Sequence, residues 1–413
     1  MPPRGAIIVG GYVNALGLVR ALAARGITVA LISNRPFDIA QRSRHVCAHD
    51  HLPDLGERPE SLIELLEHRR ARWRGWALFP THDDALEILA AHHAHLSRWY
   101  RVIAPEPEIA RVLLDKELML GAARDIGMTA PRCYGPATAA TAARDELRYP
   151  VIVKPVAGHR FSRRFGVKVL VANDRQQLQA CVQEFSNAGL EGQVSDLIPG
   201  PDSQIFAQVI YMDARAEPRA SVTVHKLRQS PPRFGVARVA EIVEDRDELY
   251  HSTIELLRRI GFRGIATAEF KLDPRDGSYR FIELNGRSMV YNSLLRTAGV
   301  DIAHLAWSDY VLGRPQRARA RAWPGVWIHL HADLLCSTLL RQQERLSLGD
   351  YLAPYRRPRT FAVWSKADPR PFMAQWSRTM AEAGAAVSRS SLRELVRARG
   401  AHTPDADGSF WAG

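Results

Sequence analysis

The first hundred residues alternate between short apolar runs and amphipathic segments. The runs Ala6–Val9 and Thr28–Ile32 flank a helical pattern over Ala15–Ala24, which stops before Gly26. Both runs are apolar throughout, as parallel strands covered on two faces must be. The alternation continues with segments at 60–72, 76–79, 84–99 and 101–103. We predict an N-terminal domain over residues 1–108, an α/β domain with a doubly wound parallel sheet.

The pattern changes after the prolines at 105 and 107. A helix is predicted over 109–127, and strand patterns then dominate, with helices only at 175–188 and 247–260. This predicts a two-lobed α+β domain over 109–314, in which one lobe spans about 128–198. Beyond an Arg-, Ala- and Pro-rich stretch, residues 315–413 are expected to form a small C-terminal α/β extension.

The most informative segment is a predicted hairpin over residues 267–287. Strict alternation places Thr267, Glu269 and Lys271 on one face of its first strand, and Glu283, Asn285 and Arg287 on one face of its second. Glu269 is expected beside or opposite Glu283, where two like charges require a compensating cation. Oxygen ligands without His or Cys favour Mg²⁺ or Mn²⁺. The alternative is an amphipathic hairpin with a solvated polar face.

Composition places the chain among ordinary soluble proteins and makes its lysines conspicuous. The 413 residues have a formal net charge of +12, but only six of the 56 basic residues are lysines. The arginines are spread out and not interleaved with aromatic residues, so no nucleic-acid partner is expected. The four cysteines are far apart, which fits reduced thiols in a cytoplasm. No stretch is long enough to predict a membrane span.

Two lysines stand near turns that suit phosphate or nucleotide binding. Lys154 ends an apolar strand, and the following segment from Gly158 to Gly166 has terminal glycines and several donors, including His159 and Arg160. Lys116 lies where a helix begins. The run 195–202 ends in Pro-Gly-Pro-Asp, which is either a simple turn or a hinge that pairs with a base edge and a ribose hydroxyl.

Taken together, these segments resemble the ATP-grasp superfamily. The resemblance covers roughly residues 1–313 and is carried by Lys116, Val-Lys154-Pro, Ile-Pro-Gly-Pro-Asp202, Glu269 and Glu283-Leu-Asn285-Gly-Arg287. Ser43-Arg44, Pro80-Thr81-His82-Asp83 and the stretch from Lys226 to Gly235 are similar to carboxylate–amine ligases of the D-aspartate-ligase-like and carbamoyl-phosphate-synthase-like kinds. The N-terminal sheet would then be the pre-ATP-grasp domain, and the lobe at 128–198 would be a lid.

The resemblance implies a role for each matching position. Lys116 and Lys154 would bind ATP phosphates, under a loop that includes Gly158, His159 and Arg160. Backbone near Asp196, Leu197 and Ile198 would hold adenine, and Asp202 would contact ribose. Glu269, Glu283 and Asn285 would carry Mg²⁺ (or Mn²⁺), and Arg287 would contact the γ-phosphate and acyl phosphate. Lys226 is a further candidate phosphate ligand, and Lys271 lies within the same nucleotide and metal segment.

The implied activity is ATP-dependent formation of an amide bond between small carboxylate and amine substrates, amino acids or a peptide among them. His82 and Asp83 are candidate substrate contacts. Two alternatives stand beside it: an ATP-binding scaffold without turnover, and a nicotinamide oxidoreductase suggested by Gly10-Gly11 and Gly17. The segment from 315 has three alternative roles, namely completing the fold, forming homodimer contacts or covering the active site.

Overall fold

The computed structural model describes residues 4–35, 37–155, 169–343 and 346–381. Its first sheet has five parallel strands in the order β3-β2-β1-β4-β5. The elements of this region are β1 (Gly5–Val9), α1 (Val13–Ala23), β2 (Thr28–Ser33), β3 (Val46–His51), α2 (Glu60–Arg69), β4 (Ala77–Pro80), α3 (Asp83–Ala91), α4 (His93–Leu96) and β5 (Arg101–Val102). The predicted doubly wound parallel sheet is confirmed.

Two details of this region differ from the prediction. Strand β3 was missed because it lies at the sheet edge, where burial alternates and histidines replace the apolar run. The helix expected over 109–127 is two helices, α5 (Pro107–Leu114) and α6 (Lys116–Asp125). Asp115 separates them: its backbone is extended, and its carboxylate accepts hydrogen bonds from the backbone N–H groups of Glu117 at 2.9 Å and Leu118 at 3.1 Å.

The chain divides into two compact units, and residues 130–200 belong to the second. This unit contains a four-stranded antiparallel sheet in the order β6-β9-β7-β8. Its elements are β6 (Cys133–Pro136), α7 (Ala139–Ala142), β7 (Val151–Pro155), β8 (Leu170–Ala172), α8 (Arg175–Asn187) and β9 (Gly192–Asp196). Its core is formed by apolar residues of these strands and of α8, such as Val153, Leu178 and Phe185.

The first unit comprises residues 1–129 and 201–376. Besides the parallel sheet it contains a seven-stranded sheet in the order β14-β13-β10-β11-β12-β15-β16. The remaining elements are β10 (Ile205–Met212), β11 (Pro218–Ser230), β12 (Val236–Val243), α9 (Asp247–Arg259), β13 (Gly264–Leu272), β14 (Tyr279–Asn285), α10 (Asn292–Thr297), α11 (Ile302–Leu312), β15 (Val326–Ile328), α12 (Leu330–Gln343), α13 (Leu348–Leu352) and β16 (Arg359–Phe361). The domain boundaries at 108 and 314 stay predictions, and the segments on both sides of each lie in this one unit.

The two faces of the seven-stranded sheet pack against different helices. One face, with Ala207, Val209 and Ile265, shares a core with α1, α10 and α11. The other face, with Phe206 and Phe270, packs against α6 and α9. In the part of the chain described, no helix combines the length and apolar character that crossing a membrane requires.

The described residues between 315 and 376 complete this unit. Strand β15 pairs with β12, and β16 pairs with β15. Asp333 of α12 is fully buried between Arg228 at 3.1 Å and Arg238 at 3.3 Å. Asp368 accepts hydrogen bonds from Ser43 Oγ at 2.7 Å, the Arg44 backbone N–H at 3.0 Å and Arg20 Nε at 3.0 Å. The Ser43-Arg44 motif therefore anchors the C-terminal segment.

Candidate active site

The predicted carboxylate pair lies on the edge hairpin of the seven-stranded sheet. Glu269 on β13 stands directly opposite Glu283 on β14, and Thr267 stands opposite Asn285. A shift of register follows Glu269, so that the next partner on β14 is Phe281. Such a bulge changes the direction in which neighbouring side chains point. The expected register of the two glutamates is confirmed.

The compensating cation at Glu269 is Lys226. Its ammonium group donates to both carboxylate oxygens of Glu269, at 2.6 Å each, and both side chains are buried. The two residues are two strands apart, and the intervening strand places Ala207 opposite Glu269. The small side chain of Ala207 leaves room for the Lys226 side chain to extend over β10 and reach Glu269.

Glu283 is held from its own strand. Asn285 Nδ2 donates to Glu283 Oε1 at 3.0 Å, which leaves the amide oxygen of Asn285 for another partner. Burial acts to raise the pKa of Glu283, but the Asn285 hydrogen bond and the charges of Lys226 and Lys116 outweigh it, so this pKa is lowered. Glu283 is therefore a carboxylate at neutral pH.

Arg287 connects this hairpin to the parallel sheet. Its Nε donates to Asp83 Oδ1 at 2.7 Å, at the beginning of α3. Between Asn285 and Arg287, a Cβ on Gly286 would lie 2.5 Å from the Leu113 side chain, so the close packing of this strand requires glycine. In this motif the side chains of Asn285 and Arg287 make polar contacts, and Gly286 between them allows the backbone to pack closely against Leu113.

Lys116 opens α6 at a partly exposed position, and its ammonium group lies in a region shielded from water. Desolvation lowers its pKa, and the charges of Glu283 and Asp83 oppose that lowering. Lys116 therefore lies within electrostatic reach of both carboxylates. The structure brings together six predicted residues of the first unit: Lys116, Lys226, Glu269, Glu283, Asn285 and Arg287.

Asp202 has a different environment from the one expected of a ribose ligand. Its oxygens accept hydrogen bonds from the Gln229 backbone at 3.2 Å, from Gln229 Nε2 at 2.8 Å and from the Arg233 backbone at 2.9 Å. It is also buried. These contacts favour an anchoring role for Asp202 in the turn between β11 and β12. Burial lowers the pKa of Lys271, whereas the negative charge of Asp202 acts to raise it. Lys271 is therefore close enough to Asp202 for the two charges to interact.

The remaining predicted site residues belong to the second unit, and some of them lie outside the residues that the structure describes. Lys154 lies near the end of β7, half-buried, opposite Gln193. In the predicted adenine segment, the backbone N–H groups of Asp196 and Leu197 already donate to Arg132 and Pro150, and Ile198 is buried. Gly158, His159 and Arg160 lie outside the residues that the structure describes.

Sequence reasoning missed two further groups near the hairpin. Tyr291 is fully buried at the beginning of α10, and the charges of Glu269, Glu283 and Arg287 all affect its pKa. Tyr291 lies outside every motif, so no sequence signal identified it. Thr267 was placed on the correct face by alternation, but without a role.

The turn after β1 gives a structural reason for its glycines. A Cβ on Gly10 would lie 2.2 Å from Thr81 Oγ1, and one on Gly11 would lie 2.2 Å from the Asp38 side chain. Gly10 also has a φ of +105°, in the region that favours glycine. These contacts explain the Gly-Gly pair without a dinucleotide, which removes the motif basis of the oxidoreductase alternative.

Comparison with known proteins gives consistent matches. The family profile "Carbamoyl-phosphate synthase L chain, ATP binding domain" matches residues 240–308. A D-aspartate ligase of Enterococcus faecium (strain Aus0004) is 23% identical over 295 residues, which cover 65% of this chain and 68% of the relative.

Two solved structures have the same fold. An L-amino acid ligase from Bacillus licheniformis matches with a TM-score of 0.59 and 17% identity, covering 77% of this chain and 76% of that one. An N5-carboxyaminoimidazole synthetase from Staphylococcus aureus, complexed with ADP, matches with a TM-score of 0.63 and 13% identity, covering 83% and 86%.

Proposed function

Because the chain belongs to the ATP-grasp superfamily of ligases, we propose that it joins a small carboxylate to an amine at the expense of ATP. The observation that carries the proposal is the hairpin on which Glu269, Glu283, Asn285 and Arg287 stand together, with Lys226 beside them. The expected superfamily and fold class are confirmed. The substrates, the reaction course and the residue roles below are proposals.

The donor set of the hairpin fits a magnesium ion. Two carboxylates face each other across the strands, and the Asn285 amide oxygen is oriented away from its own bond to Glu283. Among the described residues, no three carboxylate, imidazole or thiolate groups converge on one point. A hard cation would therefore use Glu269, Glu283 and Asn285 together with oxygens of the nucleotide. Mg²⁺, or Mn²⁺ in its place, would neutralise phosphate charge.

Each unit contains residues that are proposed to contact a nucleotide. In the first unit, Lys116 and Lys226 offer ammonium groups near the carboxylate pair. In the second, Lys154 and the backbone at 196–198 are proposed to hold phosphate and adenine. A lysine suits a phosphate that moves during a reaction, because its charge sits on a flexible stem.

The chemistry follows from the stability of carboxylates. A carboxylate does not condense with an amine in water, because an oxygen must first become a leaving group. Transfer of the γ-phosphoryl group from ATP to a carboxylate oxygen gives an acyl phosphate and ADP. The amine then attacks the acyl carbon and phosphate departs, carrying that oxygen. Arg287 is proposed to face the transferred phosphoryl group.

The substrate class is proposed to be amino acids or short peptides. The relatives named above are a D-aspartate ligase and an L-amino acid ligase. Asp83, whose side chain is 58% exposed beside Arg287, adds a carboxylate suited to an ammonium group. Arg287 and Asp83 thus offer opposite charges 2.7 Å apart, a pairing that fits the two charged groups of an amino acid.

The test is ADP release measured over a matrix of amino acids, other small carboxylates and amines, with Mg²⁺ present. We expect release that requires both a carboxylate and an amine, and a product whose mass equals the two substrates minus water. ATP binding without ADP release from any pair would contradict the proposal and favour the scaffold alternative.

A further inference from the structure

The carboxyl ends of three neighbouring strands meet at one edge of the parallel sheet. Strand β1 lies between β2 and β4: the chain passes from β1 to β2 on one side and later adds β4 on the other. Such a reversal of strand order opens a crevice outside the carboxyl ends of the strands, where α/β sheets bind their ligands. Tyr12, Arg35 and His82 each follow one of these three strands. They therefore stand beside the crevice.

His82 offers a hydrogen-bond donor that has no partner. As the N-cap of α3, its Nδ1 accepts the backbone N–H of Ala85 at 3.3 Å, so the proton of the neutral ring lies on Nε2. Nε2 is buried and, within the described ranges, has no hydrogen-bond partner. Burial lowers the pKa of His82 to about 4, and the charges of Arg35 and Arg287 act in the same direction. The ring is therefore neutral at ordinary pH, and Nε2 can only donate.

The unpaired Nε2 lies at the turn that follows β1. A Cβ on Gly10 would lie 2.8 Å from Cδ2 of the His82 ring and 3.3 Å from its Nε2. Tyr12 belongs to the same turn and is 36% exposed, yet burial raises its pKa. A side chain that is open to water and still desolvated lines a concave surface. The turn therefore forms one wall of a cleft.

Arg35 adds a cation that forms no ion pair. It is exposed, and in the part of the chain that the structure describes its guanidinium pairs with no carboxylate. Its charge acts on Tyr12 and on His82, which places it at the same cleft. The turn that carries it is held by the buried Asp38, whose carboxylate accepts the backbone N–H groups of Asn34 at 3.2 Å and Arg35 at 3.3 Å.

These groups select an anion as their ligand. A guanidinium and an Nε2–H have no acceptor atom, so they bind an oxygen that carries negative charge and repel ammonium groups and metal ions. Carboxylates also face His82, but the charges of Arg35 and Arg287 affect its pKa more than those of Asp83 and Asp54 do. The electrostatic potential at this imidazole is therefore positive.

We propose that Arg35 and His82 bind a second carboxylate of the carboxylate substrate, the one that is not phosphorylated. This inference rests on the proposed function and narrows the substrates to dicarboxylic acids, acidic amino acids among them. His82 adjoins Asp83, which pairs with Arg287. Because adjacent Cα atoms are only about 3.8 Å apart, the two anion-binding positions are within the span of one short dicarboxylic acid.

The test compares two dicarboxylates with their own half-amides. Binding of succinate, succinamate, glutarate and glutaramate to the full chain with MgADP is measured by calorimetry. Each half-amide keeps the length and one carboxylate, so it lacks only the second charge. We expect the natural protein to bind at least one dicarboxylate about tenfold or more tightly than its half-amide. In Arg35→Gln and His82→Asn this preference should fall to about threefold or less, with half-amide binding unchanged.

Matched variants separate this role from effects of charge and folding. Asparagine is itself a good N-cap, so His82→Asn keeps the cap of α3 and removes the Nε2–H. Arg101→Gln removes the same charge at the beginning of β5, at the other end of the strands, and His92→Asn changes an exposed histidine at the end of α3. Both controls should keep the natural preference. All four variants should keep the natural denaturation midpoint.

The inference is overturned if the natural protein binds both dicarboxylates no better than their half-amides, or if Arg35→Gln and His82→Asn keep the full preference. It is also overturned if the controls lose the preference as well. The proposed function is decided separately, by ADP release over the substrate matrix. Release with monocarboxylates alone would retain the function and remove this subsite, whereas the expected binding without ADP release would retain the subsite and contradict the function.

Discussion

Lys226 binds both oxygens of Glu269 at 2.6 Å each, in a buried position two strands away along the sheet. Glu283 stands opposite the same carboxylate. Together with the charges of Lys116 and Arg287, this ion pair offsets the repulsion between the two glutamates on neighbouring strands. This relationship makes the lysine a structural element as well as a candidate phosphate ligand.

Replacing Lys226 by Met should destabilise the first unit. The variant leaves Glu269 buried without its cation and opposite a second carboxylate, so we expect the free energy of unfolding to fall by about 3–5 kcal/mol without Mg²⁺. Urea denaturation followed by circular dichroism measures the loss. The double variant Lys226→Met, Glu269→Gln removes the unpaired charge and should recover at least half of it. Equal stability of the single and double variants would contradict this reading.

Replacing Glu283 by Gln should remove metal-dependent turnover. The amide keeps the shape of the side chain but not the charge that a hard cation requires, so we expect ADP release to fall by at least about 100-fold. The denaturation midpoint should stay close to that of the natural protein. Glu255→Gln, at an exposed position of α9, is the control and should keep full activity. Unchanged ADP release would refute the metal assignment.

Replacing Asp202 by Ala should affect stability more than ribose recognition. The carboxylate accepts three hydrogen bonds from Gln229 and Arg233, and their loss should cost about 1–3 kcal/mol in the free energy of unfolding. The ratio of the KM values for 2′-deoxy-ATP and ATP tests the other role. We expect the same ratio in both proteins, and a ratio that collapses toward one in the variant would restore Asp202 as a ribose ligand.

His329 should make stability depend on pH below neutrality. Its burial lowers its pKa to about 3, with the charge of His331 acting in the same direction. In the unfolded chain His329 takes up a proton near its ordinary pKa of about 6.5, while in the folded chain it does not. The contribution of His329 to stability is therefore fully present above that pH and decreases as the pH falls. We expect His329 to contribute a loss of about 2 kcal/mol between pH 7 and pH 5.

The pH dependence expected from His329 can be tested by replacing it with glutamine, because its ring is enclosed by uncharged or weakly basic neighbours. Tyr12, Trp327 and His331 lie around its ring, and Gln375 Nε2 is 3.3 Å from its Nε2. In His329→Gln, the difference between the unfolding free energies at pH 7 and pH 5 should shrink by that amount. An unchanged difference would show that the folded protein accepts the proton at His329 without cost.

Replacing Asp333 by Asn should detach the C-terminal segment from the sheet. The substitution leaves Arg228 and Arg238 buried without their shared carboxylate, and we expect a loss of about 3–5 kcal/mol in the free energy of unfolding. Asp125→Asn, which removes an exposed ion pair with Arg259, should change stability by about 0.5 kcal/mol or less. Limited proteolysis should cut the Asp333 variant, and not the control, within residues 315–361.

Local patterns predicted the parallel sheet and the β13–β14 hairpin well. Fully apolar runs identified β1 and β2, and strict alternation set the faces of β13 and β14 closely enough to predict that Glu269 and Glu283 would meet. These features depend on residues near each other in sequence. The register of a hairpin follows from its own alternation and turn.

Contacts between distant segments could not be predicted in this way. Arg287 meets Asp83, and Asp368 meets Ser43 and Arg20, across more than two hundred residues in each case. Asp202 is a second example. Its place in a sequence motif predicted a contact with ribose, whereas in the structure it accepts hydrogen bonds from Gln229 and Arg233, about thirty residues further along the chain. Tertiary partners decide such roles.

The strand order of the seven-stranded sheet also has consequences for synthesis on the ribosome. Its strand order places β15 and β16 at the edge opposite β14, so residues 326–361 must be translated before this sheet is whole. The parallel sheet of the N-terminal region consists of residues 5–102 and has all its strands much earlier. Until translation passes that point, β12 lacks its partner strand at this edge, and an unpaired strand edge can pair with other nascent chains.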